Sequence, residues 1–189
     1  MDFHEILKIA GGVMTFLLFI PMIVNTLKFG GGGQSFATWL LWAALDGILI
    51  FSVVEQHGNF LVALGFAAGD VVMATILLCQ RHVRWSRFET IILLLVIACL
   101  IVWKSSGPMV ATIAATLGGC ISGLPGLVTL WRNPNRRLGN IWAGYAVANG
   151  LAFLGGTAMT VAERFVPGVF TVFSLLMFMA SRWRLRGKI

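Results

Sequence analysis

Seven long apolar runs, separated by short polar or glycine-rich breaks, constrain this chain more than any other feature. A helix needs about 20 mostly apolar residues to cross the hydrocarbon core of a bilayer. The runs extend from Ile6 to Leu27, Phe36 to Val54, Phe60 to Cys79, Phe88 to Trp103, Pro108 to Trp131, Asn140 to Val161 and Phe165 to Ser181. In lipid, every backbone polar group must be satisfied internally, so only helices or closed barrels span. Runs of this length specify helices. The expected fold class is all-α integral membrane, with seven transmembrane helices. Composition agrees, at 58% hydrophobic and 11% charged, where a soluble domain has about a quarter charged. The opening MDFHEILK carries acids where a cleavable signal would be basic, so no signal peptide is expected.

Basic residues set the orientation. With seven spans, Lys8, Lys104 and Arg164 share one side of the membrane. The rest of the fourteen Lys and Arg fall on the other side: Lys28, Arg81, Arg84, Arg87, Arg132, Arg136, Arg137, Arg182, Arg184, Arg186 and Lys188. Lys and Arg concentrate in cytoplasmic loops. The N-terminus is therefore expected outside and the C-terminus inside. Topology and lipid headgroups account for the net charge of +7, so the bilayer is the expected partner and nucleic acid is not. Short loops suit a bacterial inner membrane.

The chain also repeats itself. Pro21 in FIPMIVNTLK and Pro125 in GLPGLVTLWR each sit late in an apolar run, ahead of Lys28 and Arg132. Beyond each lies W-x-x-(W/Y)-x-x-x-(D/N)-G, first as Trp39 to Gly47 and then as Trp142 to Gly150. The repeat pairs spans one to three with spans five to seven. One intervening helix lets both triplets point the same way, giving two parallel three-helix repeats joined by a linker helix. The expected divisions are 1–82, 83–107 and 108–189, the last with a basic C-terminal tail.

Positions i, i+3 and i+7 share one helix face. Trp39, Trp42 and Asp46 form one stripe, and Trp142, Tyr145 and Asn149 form its counterpart. A carboxylate at mid-bilayer costs about 2.5–3.5 kcal/mol on insertion scales, so Asp46 must face protein or water. These six residues are the candidate solute site. Gly47 and Gly150 are expected to permit close helix packing. Asp70, mid-run on span three, joins Asp46 as a proton-coupling candidate. Its counterpart falls near Phe173 or Ser174, neither of them acidic. Pro21 and Pro125 each remove a backbone hydrogen bond and are candidate hinges.

No cofactor or metal site is expected. KFGGGGQS lacks the Lys-Ser/Thr ending of a phosphate loop, and His4, His57 and His82 lie outside the spans. Cys79, Cys99 and Cys120 have no ligand spacing and read as small buried hydrophobes. No nucleophile and base converge, so enzymatic activity is not expected.

Seven helices in a 3+1+3 plan, with a first-helix proline in each half, resemble the SWEET, semi-SWEET and PQ-loop transporter superfamily. Met22 and Gly126 stand where that family's Pro-Gln motif has glutamine. The resemblance implies a path between two three-helix bundles, with alternating access assisted by the prolines. In sugar-carrying members asparagines and aromatics hold the solute near the midplane. The implied function is transport of a small polar solute, a sugar first, with proton coupling and oligomerisation both open. Carriers of vitamin precursors or nucleosides share a related plan. A non-transporting receptor or scaffold of the KDEL-receptor type is the alternative from a different class, with SRWRLRGK as its docking tail.

Overall fold

The computed structural model describes residues 1–29, 35–83 and 85–182. The glycine-rich break after the first span, Arg84 and most of the basic tail lie outside the described residues. Everything regular among the described residues is helical. The elements are α1 (Phe3–Leu17), α2 (Phe19–Phe29), α3 (Phe36–Glu55), α4 (Leu61–Cys79), α5 (Arg87–Ser106), α6 (Pro108–Arg132), α7 (Arg136–Gly155) and α8 (Val166–Arg182). One π-helical turn, Val161–Phe165, leads into α8. Together α1 and α2 make one span, so the chain is an all-α membrane protein with seven spans.

Among the described residues, six spans are long and apolar enough to cross a bilayer on length and hydropathy alone. The exception is α7, whose first turn carries Arg136 and Arg137 and whose middle is built from Gly, Ala and Asn. It packs between α1 and α8, so small residues that admit neighbouring helices replace large apolar ones. Its limits also differ from the expected Asn140 to Val161. Asn135 Oδ1 accepts from the Arg137 and Leu138 amides and starts the helix early. Gly156 then turns to extended backbone and ends it.

Local chemistry explains the starts of four further helices. Asp2 and Glu5 form a reciprocal capping box at α1, and Ser86 and Glu89 form another at α5. Ser35 caps α3 through the Thr38 amide. Pro108 occupies the first turn of α6, where a missing N–H costs nothing.

Large apolar side chains cover the outside, and polar side chains are set among the apolar residues of the interior. Ile91, Leu94, Val71 and Val172 are exposed, whereas Thr15, Ser52, Thr112, Asn149 and Ser174 are buried. Lipid tails are as apolar as leucine, so close packing rather than burial must hold the helices together. A Cβ on Gly65 would lie 2.8 Å from the Gly12 carbonyl, and one on Gly11 would lie 2.7 Å from that of Ala148. These approaches join α1 to α4 and to α7. Gly47 and Gly150 play no such part: a Cβ at either would meet nothing within 4 Å. Of the cysteines, Cys99 is buried but Cys79 is exposed, because only the former faces α3 and α6 in the core.

Contacts among the first three spans recur among the last three. α1 packs on α4 as α6 packs on α8, and α3 packs on α4 as α7 packs on α8. Across the middle, α1 meets α7 and α6 meets α3. α5 lies outside this scheme, against α3 and α6.

Hydrogen bonds define the two ends of the bundle. At one end Ser35 reaches Glu89, the Phe36 amide donates to the His82 carbonyl, and Arg182 donates to Asn140. This end carries Lys28, Arg81, Arg87, Arg132, Arg136 and Arg137. At the other end Lys8 pairs with Glu163 at 2.8 Å. Gln56 Nε2 donates to Thr112 Oγ1 at 2.8 Å, and Thr112 donates to Ser52. The Asn59 amide donates to the Ala162 carbonyl there too.

Candidate functional site

A cavity of about 620 Å³ occupies the middle of the bundle. Residues of α2 to α8 contribute to its walls. It runs from mid-depth to the basic end, where Thr38, Glu89, Thr129 and Leu138 line it. None of the groups that tie the opposite end together lines it.

Five of the six stripe residues meet here. Trp39, Trp42, Asp46, Trp142 and Tyr145 all line the cavity. Trp39 is only 6% exposed and packs edge-on against Trp42, with ring centroids 5.2 Å apart. An aromatic belt at headgroup depth would leave it exposed. Trp142 and Tyr145 repeat this pairing on α7 at 5.5 Å. Asn149 departs from expectation. It is fully buried but does not line the cavity. Its Nδ2 donates back to the Tyr145 carbonyl at 2.8 Å, while its Oδ1 meets no partner among the described residues.

Asp70 does face the cavity. Its carboxyl lies within hydrogen-bonding reach of that of Asp46. Both are at least nine-tenths buried. Two carboxyl groups this close cannot both carry unbalanced charge; a proton or another cation must intervene. Among the described residues neither has a basic partner, since the one ion pair is Lys8–Glu163. Two further polar groups of the walls make no hydrogen bond within the protein, Trp42 Nε1 and the Tyr145 hydroxyl. Buried polar atoms are normally satisfied, and these two are left to whatever fills the cavity.

The prolines divide. Pro125 lines the cavity within a continuous α6. Pro21 does not line it, but it lacks the N–H that would bond the Leu17 carbonyl, and α1 ends at Leu17. Only the first proline breaks its span.

Sequence reasoning missed several ring and acid positions. Phe19 contacts Trp39, Phe66 and Tyr145. Phe66 also meets Phe170 across the bundle, at 5.5 Å between centroids. The signal was present: Phe66 precedes Asp70 by one helical turn, as Phe170 precedes Ser174. Glu89 was missed because it opens a span. It accepts from the Ser86 amide at 2.7 Å and from Ser35 and Thr38 hydroxyls at 2.9 Å, with the Ser86 hydroxyl also donating to it.

Fold and site together define the class: an all-α membrane protein whose helices enclose an aromatic-walled cavity with two aspartates in its wall. No family model, curated protein or solved structure matches the chain.

Proposed function

We propose that this chain is a small-solute carrier working by alternating access. Spans one to three would form one bundle and spans five to seven the other, with α5 as the linker. The recurrence of helix contacts between these triplets supports that division. The observation that carries the reading is the cavity between them, with buried acids and unpartnered polar atoms in its walls. A path through a membrane needs such a place, and a purely structural bundle has no use for it. The two ends differ as an alternating-access protein requires, one reached by the cavity and one tied shut. The basic residues at the reached end favour the cytoplasmic side under the positive-inside rule, and on this reading the conformation described is inward-facing.

Asp46 and Asp70 are the proposed proton-coupling groups. Uptake into proteoliposomes with and without an imposed pH gradient tests the reading. A carrier gives saturable uptake, and coupling makes it respond to the gradient. If Asp46→Asn and Asp70→Asn leave both unchanged, coupling through this pair is excluded. Ligand binding without flux in either direction would instead describe a receptor.

A further inference from the structure

The charges of the cavity walls are all of one sign. Asp46, Asp70 and Glu89 line it, and among the described residues no Lys, Arg or His does. This happens in a chain with twice as many basic as acidic residues, 14 against 7. The bias is therefore local and opposite to that of the whole molecule. At mid-depth the two aspartates have no basic partner. Around them stand Trp39, Trp42, Phe66, Trp142 and Tyr145, and a ring face attracts a cation within about 6 Å of its centroid. Tyr145 is 1% exposed with a hydroxyl that no protein group engages.

We infer that the solute held in this cavity is an organic ammonium ion, with Asp46 and Asp70 as its counter-charge and the rings as its cage. The inference rests on the carrier reading, since it takes the cavity to be the solute site. It chooses among solutes by counting what the walls offer. A sugar presents many hydroxyls that must each be paired, and a buried unpaired one costs about 1–3 kcal/mol. The amide best suited to pair with them, on Asn149, does not line the cavity. A cation needs few hydrogen bonds but does need a desolvated carboxylate and π faces, and these are present. Its arrival resolves the repulsion between two adjacent carboxyl groups that no basic side chain relieves. Glu89, nearer the basic end, adds a third acidic group to the same wall.

The test uses the full chain purified in detergent, titrated with choline and with benzyltrimethylammonium by calorimetry. Each is compared with a neutral compound in which a tert-butyl group replaces trimethylammonium, and with glucose. The expected result is saturable binding of a cation, at least about tenfold tighter than its neutral counterpart, and no binding of glucose. Asp46→Asn and Asp70→Asn should each weaken cation binding by about tenfold or more while eluting as the native protein does. The comparison of charged and neutral probes on the native chain decides the matter even if a variant fails to fold. Equal binding of cation and neutral counterpart, binding of glucose alone, or no binding of either cation overturns the inference. Flux separates it from the reading beneath it. Saturable glucose uptake without cation binding would leave a carrier with the wrong solute assigned. Aspartate-dependent cation binding with no flux would leave the site and remove the carrier.

Discussion

The first and last three spans build the same contacts from exchanged parts. In the first triplet the ring of Phe19, on the first span, lies over Gly69 on the third; a Cβ there would sit 2.2 Å from it. In the last triplet the glycine is on the first helix and the ring on the third. A Cβ on Gly123 would lie 2.5 Å from the Phe173 ring. Knob and hole have changed places while the filled volume is kept. The chemistry is not exchanged but confined to one side. Asp46 and Asp70 belong to the first triplet, and Asn149 and Ser174 stand at their counterparts. The backbone break is confined likewise, to Leu18 between α1 and α2. Packing tolerates exchange because only total volume matters. A charge and a break each suffice once, so one triplet carries both and the other holds it in place.

The sharpest way to break this comparison is to move the charge. Asp70→Asn is expected to cut choline uptake by about 10- to 100-fold, the range of one lost hydrogen bond to a charged group. Ser174→Ala at the counterpart is expected to change it by less than about twofold, consistent with a single neutral hydroxyl. Initial rates in proteoliposomes measure both. Equal losses would mean that the triplets share the chemistry.

Next in size is the exchange of ring and glycine. Gly69→Val and Gly123→Val should each lower stability by about 1–3 kcal/mol through overpacking, read from unfolding in mixed micelles. Phe19→Ala should restore the first and Phe173→Ala the second. Crossed combinations should restore neither, because each ring fills only its own hole.

How much of this was legible in the sequence follows from what each signal measures. Apolar length marks six of the spans, since the bilayer imposes it, and α7 is only weakly apolar. The apolar run overran α7, because Thr157 to Val161 is mostly apolar and only Gly156 marks the turn. The shared spacing of Trp39 and Trp142 identified the cavity walls, because a residue type repeated at one helical face must be facing something. It failed for Asn149, whose face was right but whose amide folds back on Tyr145; periodicity gives a direction, not a rotamer. Phe66 and Phe170 were hidden by their surroundings. A phenylalanine among apolar residues carries no contrast, and only the polar residue one turn later distinguishes it. Glu89 looked like an ordinary helix start, and its capping role is real. That it also faces a cavity depends on where α5 lies against α3, which no local pattern specifies.

A smaller effect sharpens the difference in backbone. Pro21→Ala restores the missing donor to the Leu17 carbonyl, so α1 and α2 should run on as one helix. Stability should rise by about 1 kcal/mol, a fraction of the full cost of an interior proline, and uptake should fall two- to fivefold, about 0.4–1 kcal/mol on the barrier. Pro125→Ala should leave α6 as it is, since that helix is already continuous. A loss of uptake from Pro125→Ala alone would move the hinge to the other triplet.

The smallest expected effect concerns the two ends rather than the two triplets. The Lys8–Glu163 pair is largely buried, with side chains 18% and 12% exposed, yet a pair near the surface contributes only up to about 1 kcal/mol. It does not act alone, because Gln56, Thr112 and Ser52 hold α3 to α6 at the same end. Lys8→Gln should therefore loosen this end without opening it fully. The cavity-lining Ser174 offers a reporter. With Cys79, Cys99 and Cys120 replaced, Ser174→Cys should react with a charged thiol reagent from the basic end. From the opposite end it should react slowly, and Lys8→Gln should raise that rate by about two- to fivefold, the population shift that about 1 kcal/mol allows. Adding Thr112→Val should raise it further, because the two ties close the same end through different helices. If Lys8→Gln leaves the rate unchanged and Thr112→Val alone raises it, the closure lies between α3 and α6, and the ion pair merely anchors the turn before α8.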